Sequence, residues 1–109
     1  MPQFSLLEYL ENEKSSYAEW FSGLDSAPAA RIDRYVRRME FGNFGDSKSV
    51  GEGVRELRID IGPGYRVYYG IDEGRIVLLL GGGTKRGQSR DIRKAIDRWT
   101  RYKERKRKR

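Results

Sequence analysis

The chain has no cysteine and no histidine among its 109 residues. The first absence excludes disulfides and any thiolate chemistry. The second removes the side chain that most often shuttles protons near neutral pH, and with it the commonest metal ligand. Long apolar runs are missing too, and none approaches the roughly 20 residues of a bilayer span. Met1 to Leu10 lacks the basic-then-apolar layout of a signal peptide and carries Glu8 instead. The expectation is a cytoplasmic protein with no membrane partner, no metal site and no cofactor.

What is present suits one small domain. Hydrophobic residues make up 37% of the chain and charged ones 36%, enough for one modest core. The net charge of +7 is unevenly spread. Residues 1–50 hold six Lys/Arg against eight Asp/Glu, whereas residues 51–109 hold seventeen against eight. Arg101 to Arg109 alone contribute seven positive charges and one negative. The expected organisation is a domain over residues 1–100 and a basic C-terminal tail, 101–109. Arg105, Lys106 and Arg107 in that tail suit a polyanion through counterion release. A solvated helix end that aids solubility is the alternative.

Hydrophobic spacing sets out the elements. Gln3 to Leu10 reads as a short strand. Tyr17, Trp20 and Phe21 recur at helical spacing, with Gly23 as a stop. Asp25 or Ser26 caps a second helix, with Pro28 in its first turn. Ile32, Tyr35, Val36 and Met39 form one apolar stripe on it. Gly42 to Gly53 reads as a loop. The period then switches to two. Leu57, Ile59 and Ile61 point one way, and Glu56, Arg58 and Asp60 the other. Gly62-Pro63-Gly64 is a turn, followed by a strand over Tyr65–Ile71 with Arg66 and Tyr68 on one face. Asp72-Glu73-Gly74 turns the chain into Arg75–Leu80, an apolar interior strand. Gly81-Gly82-Gly83 reads as a flexible joint. A helix capped by Ser89 then carries Ile92, Ala95, Ile96 and Trp99. The fold class is α+β: an N-terminal strand, a two-helix hairpin, a three-stranded antiparallel meander and a C-terminal helix.

Two clusters stand out chemically. A three-residue turn at 62–64 pairs Ile61 with Tyr65, which sets Arg66 opposite Asp60 and Arg58 opposite Tyr68. That face, with Glu56, reads either as solvated with an ordinary cross-strand charge pair, or as a guanidinium cluster for phosphate. The second cluster is Gly81 to Gly87, where Lys85 and Arg86 follow three glycines. It reads as a phosphate cradle or as a plain connector, and lacks P-loop spacing. Tyr68 is a base-stacking candidate or sheet filler. Trp20 and Trp99 read as core, and Lys48 is a loop cation.

The run from Gly51 to Trp99 resembles the RelE/ParE/HigB superfamily of toxins, in particular the addiction-module killer proteins, phage Gp49-like. ELR (Glu56–Arg58), GPGYRVYY (Gly62–Tyr69) and GGGTKRGQSRDI (Gly81–Ile92) carry the likeness, with Ala29–Ile32 and Gly42–Asp46 upstream. The resemblance implies two N-terminal helices packed on an antiparallel sheet. It implies the toxin of a type II toxin–antitoxin module, a ribosome-dependent mRNA endoribonuclease. The 2′-hydroxyl attacks the adjacent phosphate and leaves a cyclic phosphate and a 5′-hydroxyl. The implied partners are mRNA, the ribosome and a cognate antitoxin, a small HigA-like DNA-binding protein. Arg66 matches the phosphate-binding arginine, Arg86 beside Lys85 the basic residue after the last strand, and Arg58 the ELR arginine. Lys48 matches a basic residue ahead of the sheet. RNA-cutting relatives commonly place Tyr or His early in the C-terminal segment, where this chain has Ile92. Proton transfer then falls to Lys85, Lys48 or Glu56, in a metal-independent reaction. The alternatives are a ParE-like toxin that inhibits gyrase without catalysis, and a basic RNA-binding module.

Overall fold

Local signals set the first elements. Ser15 Oγ accepts the Ala18 N–H at 3.0 Å and opens helix α1, Ser16–Ser22, which satisfies one of the amides a helix start leaves free. Gly23 closes it. Helix α2, Ser26–Arg38, follows Asp25 with Pro28 in its first turn. Its stripe is sunk in the core, where Ile32, Val36 and Met39 are buried. Both helices lie on one face of a sheet.

The computed structural model describes residues 1–109. The sheet has five strands: β1 (Ser5–Glu8), β4 (Ser47–Gly51), β5 (Val54–Ile59), β6 (Tyr65–Asp72) and β7 (Ile76–Thr84). Their spatial order is β1-β7-β6-β5-β4. β5, β6 and β7 form the antiparallel meander, and β1 runs parallel to β7. A two-stranded turn, β2 (Leu10–Glu11) with β3 (Lys14–Ser15), follows β1. Helix α3, Gln88–Arg107, closes the chain. The α+β class and order of elements agree with the sequence reading. No helix is long and apolar enough to cross a membrane.

Four local expectations are corrected. Residues 47–51 were expected in a loop but form β4, because each finds a partner along the edge of β5. The β5–β6 connection is longer than the turn expected at 62–64. Ile59, not Ile61, pairs with Tyr65, so Arg58 stands opposite Arg66 and Glu56 opposite Tyr68. A slip of two residues leaves every side chain on its expected face. Gly81 to Gly83 are not a joint but the paired end of β7. The missing β-carbons make room, since one on Gly82 would lie 2.2 Å from the Trp20 ring and one on Gly83 2.1 Å from the Asp91 carboxylate. Finally, α3 starts after Gly87, with Ser89 inside its first turn rather than at the cap.

The two faces are filled differently. Under α1 and α2, Leu57, Ile59, Val67, Tyr69, Val77 and Leu79 join Ile32, Val36 and Met39 in one apolar core. On the other face, Ala95 and Trp99 of α3 pack on Val54, Leu78 and Leu80. Trp99 lies flat against Gly70, where a β-carbon would come within 2.5 Å of the ring. This second face was expected to be polar and open. Helix α3 covers it, because its stripe Ile92, Ala95, Ile96 and Trp99 needs an apolar surface to rest on.

Candidate functional site

Beyond the apolar patch, the face under α3 turns polar. Two cross-strand rows run side by side. One is Lys48, Glu56, Tyr68 and Gly81; the other is Arg58, Arg66 and Gly83. Alternation along β5 and β6 puts Glu56, Arg58, Arg66 and Tyr68 on this one face. Glu56 is 0% exposed, Tyr68 1% and Arg66 4%. Glu56 and Tyr68 are thus sealed beneath the start of α3, and Arg66 keeps a small part of its side chain open.

Glu56 is the hub. Its Oε1 accepts from Arg58 Nε at 3.1 Å and lies 3.9 Å from Arg66 Nε. Its Oε2 accepts from Gln88 Nε2 at 2.8 Å. Two arginines directly opposite one another repel, and the carboxylate beneath them removes that repulsion. Arg66 Nη1 donates to the Tyr65 carbonyl at 3.0 Å and to Asp60 Oδ1 at 3.3 Å. The Asp60–Arg66 pair expected from strand register therefore exists as a contact from the loop. Arg66 Nε is buried without a hydrogen-bond partner. Arg58 keeps 30% of its side chain exposed and spends only Nε on the protein. The terminal nitrogens of Arg58 are thereby left for a ligand.

The other expected site residues separate into groups. Lys48 stands beside Glu56 on edge strand β4 and is exposed. Lys85 and Arg86 are exposed on a single 3-10 turn, Lys85–Gly87. The Lys85 N–H donates to the Gly64 carbonyl at 2.7 Å. A β-carbon at Gly64 would lie 3.4 Å from Lys85 Cβ and 3.6 Å from Arg66 Nη1. Lys85 and the Arg66 guanidinium therefore flank one glycine, and the two basic clusters meet there. Both Lys48 and Lys85 are open to solvent in the free protein.

Tyr68 does not fit its expected role. Its ring is enclosed and its Oη has no hydrogen-bond partner. Burial first, then the carboxylates of Glu56 and Asp91, push its phenol far above the usual tyrosine range. It stays protonated, and it cannot stack on a base while α3 is in place. Glu56 is also sealed, with hydrogen-bond donors on both carboxylate oxygens. It positions the arginines rather than meeting solvent. Ile92 packs against the apolar patch under α3.

The basic C-terminal residues lie elsewhere. They sit near the far end of α3, roughly 30 Å from Gln88 by helical rise. Arg105 donates to Tyr9 Oη, Glu11 Oε2 and the Leu10 carbonyl, each at 2.9 Å. Lys106 Nζ donates to Asp72 Oδ2 at 2.7 Å. Arg107 is exposed. Gln88 has no sequence signal beyond its place at a helix start, yet its amide ties α3 to Glu56.

A rigid pair of guanidiniums beside an exposed lysine is a binding arrangement for a phosphodiester. Comparison with known proteins identifies the family. Residues 19–101 match the family model described as "Phage derived protein Gp49-like (DUF891)". A Haemophilus influenzae protein described as uncharacterized is 48% identical over 81 residues, covering 73% of this chain and 82% of the relative. The chain belongs to the phage-derived Gp49-like family, a toxin-like family.

Proposed function

We propose that this protein is a RelE-like toxin, silenced by a cognate antitoxin, that cleaves mRNA on the ribosome without a metal ion. One observation carries the reading. Arg58 and Arg66 face each other across two strands, braced from below by Glu56, with Lys85 beside Arg66 around Gly64. In the reaction the RNA 2′-oxygen bonds to phosphorus and the bond to the 5′-oxygen breaks. The products are a cyclic phosphate and a 5′-hydroxyl. The transition state gathers negative charge on the phosphoryl oxygens. Arg58 and Arg66 meet that charge in an already fixed geometry, so little reorganisation is needed. Lys85 and Arg86 hold the neighbouring phosphate. Lys85, beside Arg66, is the group placed to accept the 2′-hydroxyl proton and to pass a proton to the leaving 5′-oxygen.

The test is induction of the chain alone, followed by mapping of mRNA 5′ ends. In-frame 5′-hydroxyl ends are expected. A folded Arg66→Gln variant should cut about 100- to 1,000-fold more slowly, the usual loss when one preorganised donor to the transition state is removed. Growth arrest with intact mRNA rejects the nuclease reading.

A second reading rests on Tyr68 and Ile92. The phenol near the arginines is sealed, and the helix position expected to carry Tyr or His is apolar and packed. A non-catalytic toxin needs neither group. Loss of supercoiling by gyrase when the protein is added supports that reading; unchanged supercoiling removes it.

A further inference from the structure

A groove of about 770 Å3 opens where β7 runs into α3. It reaches from Trp20 of α1, past Gly82 and Gly83, to Lys85 and the first turns of α3. Its volume falls within the roughly 300–1,000 Å3 that ligand sites span. Its lining is unusual for a small-molecule pocket, because Trp20 is the single hydrophobic side chain in it. The rest is Gly82 to Lys85 at the end of β7, then Arg86, Arg90 and Arg93 against one carboxylate, Asp91. The ion pair there is weak: Arg90 Nε lies 3.9 Å from Asp91 Oδ1, with Arg90 68% exposed. The other three cations have no carboxylate within ion-pair distance. The groove therefore carries four positive charges against one negative, a net of +3.

We infer that this groove binds single-stranded RNA, with the Trp20 ring as a stacking platform for a base and Arg90 and Arg93 as phosphate contacts. Trp20 is held for this use. It packs on Gly82 from α1, and Tyr17 and Tyr65 stand 5.9 Å and 6.4 Å from it, centroid to centroid. These contacts leave it half-buried, with the remainder forming the groove wall. A fixed aromatic surface beside exposed guanidiniums is what an unpaired base and its phosphate require. A bilayer would need apolar area the groove lacks. The bases of a duplex stack on one another and have no use for Trp20. Lys85 joins the groove to the arginine pair, so a strand lying in it continues toward Arg58 and Arg66. The inference rests on reading the protein as directed at RNA, but not on its cutting RNA.

The test uses the full chain and a short single-stranded 2′-O-methyl oligoribonucleotide, whose capped nucleophile blocks cleavage. Binding should quench tryptophan fluorescence, and Trp20→Phe should abolish the quench, since Trp99 is sealed under α3. Arg90→Gln with Arg93→Gln should weaken binding about tenfold. It should also lower the slope of log affinity against log salt by about 1.4, from roughly 0.7 per lost phosphate contact on a single strand. Both arginines are exposed, so this variant stays folded even if Trp20→Phe does not. Binding without a quench and unaffected by the arginine changes overturns the inference, as does failure of the unaltered chain to bind. Groove-dependent binding in a protein that leaves cellular mRNA intact rejects the nuclease reading and leaves the groove standing.

Discussion

The two faces of the sheet are built on opposite plans. The face under α1 and α2 is apolar except where Arg55 and Ser47 meet the Tyr69 hydroxyl, and Ile32 and Met39 are wholly excluded from solvent. The face under α3 is apolar at one end and at the other hides a carboxylate, an arginine and a tyrosine. Apolar packing tolerates small shifts, since hydrophobic contact has no direction. A buried ionic cluster does not, because removing one member strands the others. The first plan holds the molecule together. The second fixes Arg58 and Arg66 in place.

The largest effect should come from breaking the polar plan. Glu56→Ala strands Arg66 in a water-excluded site and should cost about 3–5 kcal/mol, read by urea unfolding. Ile32→Ala, in the apolar plan, should cost about 3 kcal/mol through its cavity. An equal or smaller loss for Glu56→Ala means that Asp60 alone can satisfy Arg66.

The next comparison sets two glycines against each other, because each face lays a tryptophan on one. A β-carbon at Gly82 would approach its ring more closely than one at Gly70, 2.2 Å against 2.5 Å. Yet a β-carbon at Gly82 could push Trp20 toward the open groove, at the loss of its contacts with Tyr17 and Tyr65, whereas Trp99 is 5% exposed and has no such room. Gly70→Ala should therefore lose about 3 kcal/mol and Gly82→Ala about 1 kcal/mol, within the range for overpacking. The reverse order in thermal melts would show that Trp20 is the more rigid of the two.

Gln88→Ala should cost about 1–2 kcal/mol, the loss of one hydrogen bond to a buried carboxylate. It should reduce the rate of RNA cleavage more than it weakens oligonucleotide binding, because Gln88 supports Glu56 as well as lining the groove. The smallest effect concerns the far end of α3. Burial works against the Asp72 carboxylate, but hydrogen bonds from Lys106 and Tyr102 outweigh it and hold its pKa below the usual value. A depressed carboxylate stabilises above its unfolded pKa, about 3.9, and loses that contribution as pH falls through the lower folded value. Amides in the last turns of α3 should therefore lose protection, relative to their intrinsic exchange rates, below about pH 4. Asp72→Asn should show low protection at every pH.

The apolar plan was legible in the sequence because periodicity reports it. Ile32, Val36, Leu57, Ile59, Val67 and Tyr69 all face the expected way. The polar plan was half legible. Alternation put Glu56, Arg58, Arg66 and Tyr68 on one face, but alternating polar residues read as solvated, and nothing local says that a helix will cover them. β4 was missed because Ser47 to Gly51 has little apolar alternation, and its partner edge supplies what its composition does not. Gly81 to Gly83 were misread because glycine is poor in isolated strands, while here the demand comes from Trp20, distant in sequence, and from Asp91 on the following helix. Lys85 and Arg86 were found as a pair. Their link to Arg66 around Gly64 needed the observed length of the β5–β6 connection.

The parallel pairing of β1 with β7 also has a consequence in time. Ser5 pairs with Ile76, and Arg105 braces Tyr9 from 96 positions away. At roughly 5–20 residues per second of synthesis, the first strand waits several seconds for its neighbour. Helix α3 is made after that, and only then does Gln88 reach Glu56. A chain not yet extended through α3 has Arg58 and Arg66 but not their arrangement. On the proposed reading, the arginine pair gains its working geometry only once α3 has been made and has packed.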